Sequence, residues 1–203
     1  MNKLLSKWYI FVLTSLLAVV SFVIASSAIA APKAHEKISF FLGAYGAKTE
    51  ELNDKINKAN EIEGLKTIEF DFHYIYANDF AYMFNIYSET DDFYILPINF
   101  VEENKDAVLN YSANIKQDYV NSFFENELEY YVDGEYTKGI KMYDSSTDTG
   151  YLKDYIDYVS NNKDDKPCDY YLFFAYDSVN IGTLNHKTKT TNAFYVIQEL
   201  MEL

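Results

Sequence analysis

The chain of 203 residues lacks arginine altogether, and it contains a single cysteine, seven glycines and three prolines. Arginine is the side chain that holds carboxylates and phosphates through two parallel hydrogen bonds, so its absence disfavours amino-acid carboxylates and nucleotides as ligands. Because Cys168 is alone, no disulfide can form within the chain, and we interpret this residue as a buried packing residue rather than a nucleophile. Few glycines and prolines leave little flexible linker, which indicates one domain able to bury a sizeable core.

Catalytic and metal-binding patterns are missing as well. The sequence has no Gly-x-Ser-x-Gly elbow, no phosphate-binding loop and no glycine-rich dinucleotide motif. Its three histidines are scattered, without the close pairing that zinc sites use, and His73 is expected on the protein surface. The loop from Asp144 to Asp154 lacks the ligand spacing and the final glutamate of a calcium loop. We therefore predict that the protein is not an enzyme and that it uses no cofactor or metal ion.

Acidic and aromatic residues, in contrast, are abundant. The 31 aspartates and glutamates outnumber the 17 lysines and give a formal net charge of −14. Such a charge repels nucleic acids and anionic lipids, so no nucleic-acid partner is predicted, whereas cationic partners are favoured. A well-solvated acidic surface explains the same charge without any partner. Aromatic residues make up 18% of the chain, which is typical of a globular protein and not of a disordered one.

Residues 1–30 have the pattern of a segment that directs export. Lys3 and Lys7 precede an uncharged, mostly apolar run from Trp8 to Ala31. A positive start, an apolar middle and the small residues at 28–30 are typical of a cleaved signal peptide. The run is also long enough for an uncleaved membrane anchor, which stays the alternative.

Both interpretations place the remainder of the chain outside the cell, either secreted or anchored to the outer face of the cytoplasmic membrane, because the two lysines stay inside. Residues 31–37 are predicted to form a short polar tether, and residues 38–203 the folded domain. No cysteine lies near the cleavage site, which disfavours a lipid-anchored lipoprotein.

The first half of the domain alternates between strand and helix patterns. Buried strands are predicted at 38–42 and 93–96, and a strand with one polar face, near a sheet edge, at 67–76. Two helices are predicted between these strands, the first from Thr49 and the second after Asn78-Asp79. This alternation predicts an α/β fold, namely a single lobe in which a mainly parallel sheet lies between helices as a three-layer sandwich.

The second half is predicted to be more mixed. Its elements are a long helix around Val108–Phe123, a hairpin at 130–143 that turns at Asp133-Gly134, a helix at 152–159, a strand at 170–176 and a final helix at 193–200. The Asp-Gly pair supplies the positive φ angles that a tight hairpin turn needs.

Four stretches of the domain resemble the first lobe of extracellular solute-binding proteins, the capture components of bacterial ABC importers. The stretches are Phe40–Tyr45, Phe93–Pro97, the hairpin from Tyr131 with Gly139-Ile140, and Tyr171–Phe174 followed by Asp177–Gly182. In that family the hairpin precedes a crossing into a second lobe, but only Asp144 to Asp169 separate the crossing strands here. The resemblance therefore implies a one-lobed or a degenerate relative, which would capture a small solute and deliver it to an ABC permease.

The expected ligand site follows from the predicted sheet. In open parallel α/β sheets, ligands lie beyond the carboxyl ends of the strands, close to helix N-termini. The candidate residues at these ends are Gly43, Ala44, Tyr45, Asn78, Asp79, Asn99, Asp177 and Ser178. The glycine would allow close approach of the backbone, and the Tyr45 ring would stack on a sugar. A glycine turn, a helix cap and a packed tyrosine are the structural alternative.

Two functions are compatible with these features. The first is capture of a small solute, such as a sugar, for import. The second is an interaction module of the cell envelope without a small-molecule pocket, whose acidic, tyrosine-rich surface meets another protein. A concave site at the strand ends favours the first function, and a filled one favours the second.

Overall fold

The computed structural model describes residues 7–124, 128–162, 165–181 and 187–203. The chain divides between Lys33 and Ala34 into two units. The first unit contains helix α1 (Trp8–Ala30), whose large apolar side chains from Trp8 to Ile24 are exposed. Across the residues whose side chains the structure describes, no helix is both long and apolar enough to cross a membrane. Export and cleavage of residues 1–30 stay predictions.

The second unit is built on a mixed sheet, with helices between the strands. Its strands are β1 (Lys37–Ala44), β2 (Gly46–Ala47), β3 (Thr67–Tyr74), β4 (Phe93–Pro97), β5 (Ile115–Lys116), β6 (Tyr130–Asp133), β7 (Tyr136–Asp144), β8 (Thr149–Gly150), β9 (Ile156–Asp157) and β10 (Tyr170–Phe174). Its helices are α2 (Thr49–Ala59), α3 (Phe80–Tyr87), α4 (Ile98–Glu103), α5 (Lys105–Tyr111), α6 (Gln117–Asn121) and α7 (Lys187–Glu202). A short 3-10 turn, Ala34–Glu36, precedes β1.

Among the described residues, eight strands form the main sheet, in the order β3-β1-β4-β10-β7-β5, with β6 and β8 also paired to β7. Strand β1 lies between β3 and β4 and runs parallel to both. Strand β10 is antiparallel to β4 and to β7, so β7 runs in the same direction as β1, β3 and β4. The expected α/β fold, with three parallel strands in one sheet and β3 at its edge, is thus confirmed.

The hydrophobic core lies on both faces of this sheet, because successive side chains of a strand point to opposite faces. Phe40 belongs to one core cluster, together with Leu52 of α2 and Ile197 of α7. Its neighbour Phe41 belongs to the other cluster, together with Phe84 of α3. All five residues are at most 1% exposed. Burial on both faces explains why the sequence of β1 is a continuous apolar run and not an alternating one.

The prediction of one long helix around Val108–Phe123 is wrong. The segment forms α5, strand β5 and α6 instead. The chain leaves the helix where the N–H of Ala113 donates to the carbonyl of Phe174 at 2.7 Å, and Ile115 then pairs with Thr137 of β7. Pairing with the sheet therefore outweighs the helical spacing of the apolar residues in this segment.

Two turns depend on residues with a positive φ angle. The helix predicted at 152–159 is wrong, because Leu152 takes a φ of 60° in a series of turns that leads into β9. The hairpin between β6 and β7 is confirmed: Asp133 pairs with Tyr136, and Gly134 between them takes a φ of 61°. Glycine adopts this angle without steric cost, so the sequence pattern identifies the hairpin correctly.

Candidate functional site

The residues predicted to bind a ligand fall at two opposite edges of the sheet. Tyr45 lies at the carboxyl edge of the parallel strands, where it is half-buried and packs edge-to-face on Tyr76, with ring centres 5.4 Å apart. Gly43 makes room for a neighbouring side chain, because a Cβ there would lie 2.5 Å from Cζ of Phe80. Ala44 is fully buried. Packed side chains thus fill this part of the carboxyl edge.

Asn78, Asp79 and Asn99 follow the carboxyl ends of β3 and β4, and all three are exposed. Asp79 directly precedes α3, but its side chain makes no capping hydrogen bond. The Oδ1 atom of Asn99 accepts a hydrogen bond from the N–H of Phe100 at 2.8 Å and lies 3.7 Å from Sγ of Cys168. Burial raises the pKa of the Cys168 thiol, as befits a packing residue. A role for the three exposed residues in ligand binding stays a prediction.

The expectation that Asp177 and Ser178 lie at this carboxyl edge is wrong. Strand β10 runs antiparallel to β4, so Phe174 at its carboxyl end pairs with Phe93 at the amino end of β4. The residues after β10 therefore lie at the amino edge of the parallel strands. There the Ser178 hydroxyl donates a hydrogen bond to Asp92, the residue before β4. The apolar pattern locates a strand but does not give its direction, which is why the sequence places these residues at the wrong edge.

A cavity of 430 Å³ opens at this amino edge, a volume within the range of about 300–1,000 Å³ that is common for small-molecule sites. It is bounded by the first residues of β1 and β3, by the loop between α3 and β4, and by the residues after β10. Of the residues that the structure describes, six carboxylates and one ammonium group line it, contributed by Glu69, Asp71, Glu89, Asp91, Asp92, Asp177 and Lys37. Lys37 forms an ion pair with Glu69, so carboxylates dominate the charge of the cavity.

Asp92 is the structural carboxylate of this cavity. It is 4% exposed, and three donors satisfy its oxygens. Oδ2 accepts from the N–H of Ser39 at 2.9 Å, and Oδ1 accepts from the Ser178 hydroxyl and from Nδ2 of Asn180, the latter at 3.0 Å. Burial raises the pKa of Asp92, while these hydrogen bonds act in the opposite direction. The side chain thereby ties together β1, the start of β4 and the segment after β10.

Asp91 is buried next to it, but one of its oxygens lacks a partner. The residue is 7% exposed, and its Oδ2 atom has no hydrogen-bond partner among the described residues. Burial raises the pKa of Asp91 to about 7; the charges of Asp92 and Asp71 act in the same direction, and a hydrogen bond with Ser39 and the charge of Lys37 oppose them. Buried polar atoms are normally paired, so this oxygen is an acceptor whose hydrogen-bonding capacity is unused.

Strand β3 supplies part of the wall through Glu69 and Asp71. The negative charge of Asp71, together with a hydrogen bond, raises the pKa of the Tyr87 hydroxyl. His73 follows on the same face, and the expectation that it is a surface residue is wrong: its side chain is 11% exposed, and its ring stacks on Phe41 at 4.3 Å. Burial lowers the pKa of His73, although Asp71 opposes this, so the imidazole is neutral near pH 7.

The C-terminal end of α3 adjoins the cavity. Tyr87 is the last residue of this helix, and Glu89 and Thr90 follow it; all three line the cavity. The carbonyl groups at a helix C-terminus carry partial negative charge, which favours cations. No basic residue lies in the last turn of α3. The backbone at the end of α3 and the carboxylate side chains therefore both make the cavity negative.

Asp91 and Asp92 could not be recognised from the sequence, because two aspartates in a loop are typical of a solvated turn. The pattern that could have found them is acidic residues at the beginning of neighbouring strands: Glu69 and Asp71 open β3, and the aspartate pair directly precedes β4. Within the described part of the chain, no three His, Cys, Asp or Glu side chains form a group that could hold a metal ion.

Comparisons with protein families, with curated proteins and with solved structures find no match for this chain. Its resemblance to solute-binding proteins therefore rests on the sequence stretches alone. The geometry of the cavity carries the functional argument.

Proposed function

We propose that the protein is an exported, one-lobed solute-binding protein that captures a small solute in the cavity at the amino edge of its parallel strands. The observation that carries this proposal is the Asp91 side chain, which is buried and lies in the wall of a cavity of 430 Å³, and whose Oδ2 atom has no partner in the described parts of the chain. An unsatisfied buried acceptor costs on the order of 1–3 kcal/mol, and a ligand that donates a hydrogen bond to it removes that cost.

The resemblance to the capture components of ABC importers supplies the setting for this function. Helices adjoin both core clusters of the sheet, which is compatible with the three-layer lobe of that family. An export segment at residues 1–30 would bring the domain to the outer face of the membrane, where the solute would pass to an ABC permease. The proposal departs from the family in placing the ligand at the amino edge, because Tyr45 and Tyr76 pack together at the carboxyl edge.

A thermal-shift screen of the exported protein tests solute capture. Sugars, linear diamines, short peptides and divalent metal ions are added in turn, and a ligand that binds only the folded state raises Tm. At a ligand concentration of 100 times Kd, the expected stabilisation is about 2.7 kcal/mol. A substance of any of these classes that raises Tm then serves as the probe for two variants.

The variants Val179→Trp and Val132→Trp locate the bound probe. Val179 lines the cavity and is 48% exposed, whereas Val132 lies on β6 and is 52% exposed, so both sites have room for an indole ring. A ring at 179 should obstruct the cavity and abolish the rise in Tm, and a ring at 132 should leave it unchanged. A rise that survives in both variants places the ligand elsewhere, and the absence of any active probe contradicts solute capture.

The second candidate function is the envelope interaction module, and one observation favours it. Tyr74 and Tyr76 are 47% and 49% exposed and pack edge-to-face with ring centres 5.9 Å apart at the carboxyl edge. Exposed tyrosines are enriched in protein interfaces. Cross-linking of the protein in intact cells, compared with a Tyr74→Ser, Tyr76→Ser double variant, tests this function: a cross-linked partner that the double variant loses supports it, and an identical pattern contradicts it.

A further inference from the structure

The lining of the cavity narrows the class of its ligand. On the basis of the proposed function, we infer that the solute is an organic ammonium ion, and that it binds with displacement of a proton from the Asp91 side chain to the solvent. Capture is then tight at slightly alkaline pH and weak in acid.

Charge supports an ammonium ligand. Lys37, the lysine of the lining, is engaged by Glu69, and three donors occupy the oxygens of Asp92. Among the buried side-chain acceptors of the described lining, Oδ2 of Asp91 is the one without a partner. An ammonium group brings hydrogen-bond donors and a full positive charge, whereas the hydroxyl of a sugar brings a donor alone. A cation that pairs with a buried carboxylate stabilises its ionised form, so the ammonium group supplies both the donor and the charge.

The distribution of the carboxylates supports a molecule of some length. Asp91 is buried in the inner wall, while Glu89 and Asp177 are exposed at the rim of the same cavity. A linear diamine can place one ammonium group against the inner carboxylate and the other near the rim, so both of its charges meet carboxylates. The cavity volume of 430 Å³ accommodates such a chain.

Proton displacement follows from the surroundings of Asp91. In the empty cavity, burial and the charges of Asp92 and Asp71 hold its pKa near 7, against the opposing charge of Lys37. The other titratable groups of the lining are Glu69 of β3, Tyr87 of α3, and Glu89 and Asp177 in the loops. Every carboxylate among them favours the protonated form of Asp91. An ammonium ion next to Oδ2 favours the ionised form, so ligand binding and loss of the proton are linked.

Isothermal titration calorimetry of the exported protein with 1,4-diaminobutane measures this linkage. Titrations at pH 7 in two buffers of different ionisation enthalpy count the protons released, and the expected count is on the order of half a proton per diamine. The affinity at pH 8 should exceed that at pH 6 by about tenfold. The uncharged analogue 1,4-butanediol has the same carbon chain and should bind more weakly by about tenfold or more.

Two variants test whether the proton released on diamine binding comes from Asp91. Asp91→Asn keeps the shape of the side chain but cannot ionise, so it should release no proton and lose most of the pH dependence. Asp54→Asn removes one negative charge from an exposed side chain of α2 outside the cavity and should release as many protons as the wild type. The proton count of the wild type is decisive on its own, and it remains so even where the Asp91 variant fails to fold.

Three results overturn the inference: diamine binding without proton release, equally tight binding of butanediol, and unchanged proton release in Asp91→Asn. Failure of the diamine to bind overturns it as well. A sugar whose rise in Tm is lost in Val179→Trp leaves the proposed function intact while removing the ammonium ligand. Solute capture and the ammonium ligand are contradicted together only when the Val179→Trp change abolishes the rise in Tm of no solute.

Discussion

The side-chain amide of Asn57 pairs with both backbone groups of Ile68. Its Nδ2 atom donates to the carbonyl oxygen at 2.6 Å, and its Oδ1 atom accepts from the N–H at 2.7 Å. One turn earlier on α2, Oδ1 of Asn53 accepts from the N–H of Phe70 at 2.9 Å. Ile68 and Phe70 belong to β3, the edge strand of the sheet. An open edge is a template for pairing with another chain, so these two asparagines protect the sheet from self-association.

Replacing Asn57 by leucine should expose this edge. The backbone groups of Ile68 lose their partners, so the free energy of unfolding should fall by about 1–3 kcal/mol and the protein should associate with itself. Denaturant melts and light scattering measure the two effects. Lys58→Ala, on the same helix, removes only an exposed ion pair with Asp54 and should change stability by less than about 0.5 kcal/mol. A monomeric Asn57→Leu protein of wild-type stability would contradict the protective role.

Asp91 should make the empty protein less stable as the pH rises. Its pKa is raised from 3.8 to about 7 in the folded state, so between these values the folded protein binds more protons than the unfolded one. Stability should therefore fall as the pH rises from about 4 to about 7 and stay low above that range. Asp91→Asn should not show this decrease. Its free energy of unfolding should exceed that of the wild type by about 1–3 kcal/mol at pH 8. Urea melts at pH 5 and pH 8 without ligand check the difference, and a variant less stable than the wild type at pH 8 would refute it.

Replacement of the neighbouring Asp92 should instead destabilise the protein. Asp92→Ala leaves the donors of Ser39, Ser178 and Asn180 buried without their acceptor, so the free energy of unfolding should fall by about 3 kcal/mol or more. Asp91→Ala is the matched control, since it removes the same group one residue earlier. Urea melts at pH 8 compare the two variants. Equal losses at both positions would show that the hydrogen bonds do not distinguish these carboxylates.

The parallel part of the sheet could be predicted because two of its strands, β1 and β4, are buried on both faces. Continuous apolar runs such as 38–42 and 93–96, separated by helical spacing, are compatible with few other folds. The direction of β10 could not be predicted in this way. Its sequence, Tyr170–Phe174, has the same apolar pattern, yet the strand runs antiparallel to β4 and moves the residues after it to the other edge.

The candidate site could not be predicted from sequence patterns. Asp92 is buried through contacts with Ser39 and Ser178, which are 53 and 86 residues away along the chain. Burial of a carboxylate by such distant partners leaves no periodic trace near Asp91-Asp92 itself. Two of the predicted ligand residues, Asp177 and Ser178, nevertheless line the cavity. They do so because they follow the end of a strand, although not at the edge that was expected.

Gly43 should be intolerant of a side chain because of Phe80. A Cβ at position 43 would lie 2.5 Å from Cζ and 2.9 Å from Cε2 of the phenylalanine ring, so Gly43→Ala should lower the free energy of unfolding by about 1–3 kcal/mol. Phe80→Leu removes the far part of the ring, and the double variant should lose less stability than the two single changes added together. A double-mutant cycle by chemical denaturation measures this coupling, and strictly additive losses would contradict the contact.

Cleavage of the export segment should occur after Ala30. The small residues at 28–30 follow the apolar run that begins at Trp8, as in a signal peptide. Intact-mass measurement of the native protein is expected to give a chain that begins at Ala31, recovered outside the cytoplasm. A full-length mass in the membrane fraction would identify the segment as an anchor, and a full-length cytoplasmic protein would exclude both interpretations.

The position of β10 determines when the main sheet can finish folding. This strand occupies the middle of the sheet, between β4 and β7, although residues 170–174 supply it. As the chain is synthesised from its amino end, β4 and β7 remain without their shared neighbour until residue 174 has been made. Pairings of such long sequence separation form late and slowly. If residues 1–30 direct export as predicted, the late pairing of β10 would leave the sheet incomplete while the chain crosses the membrane.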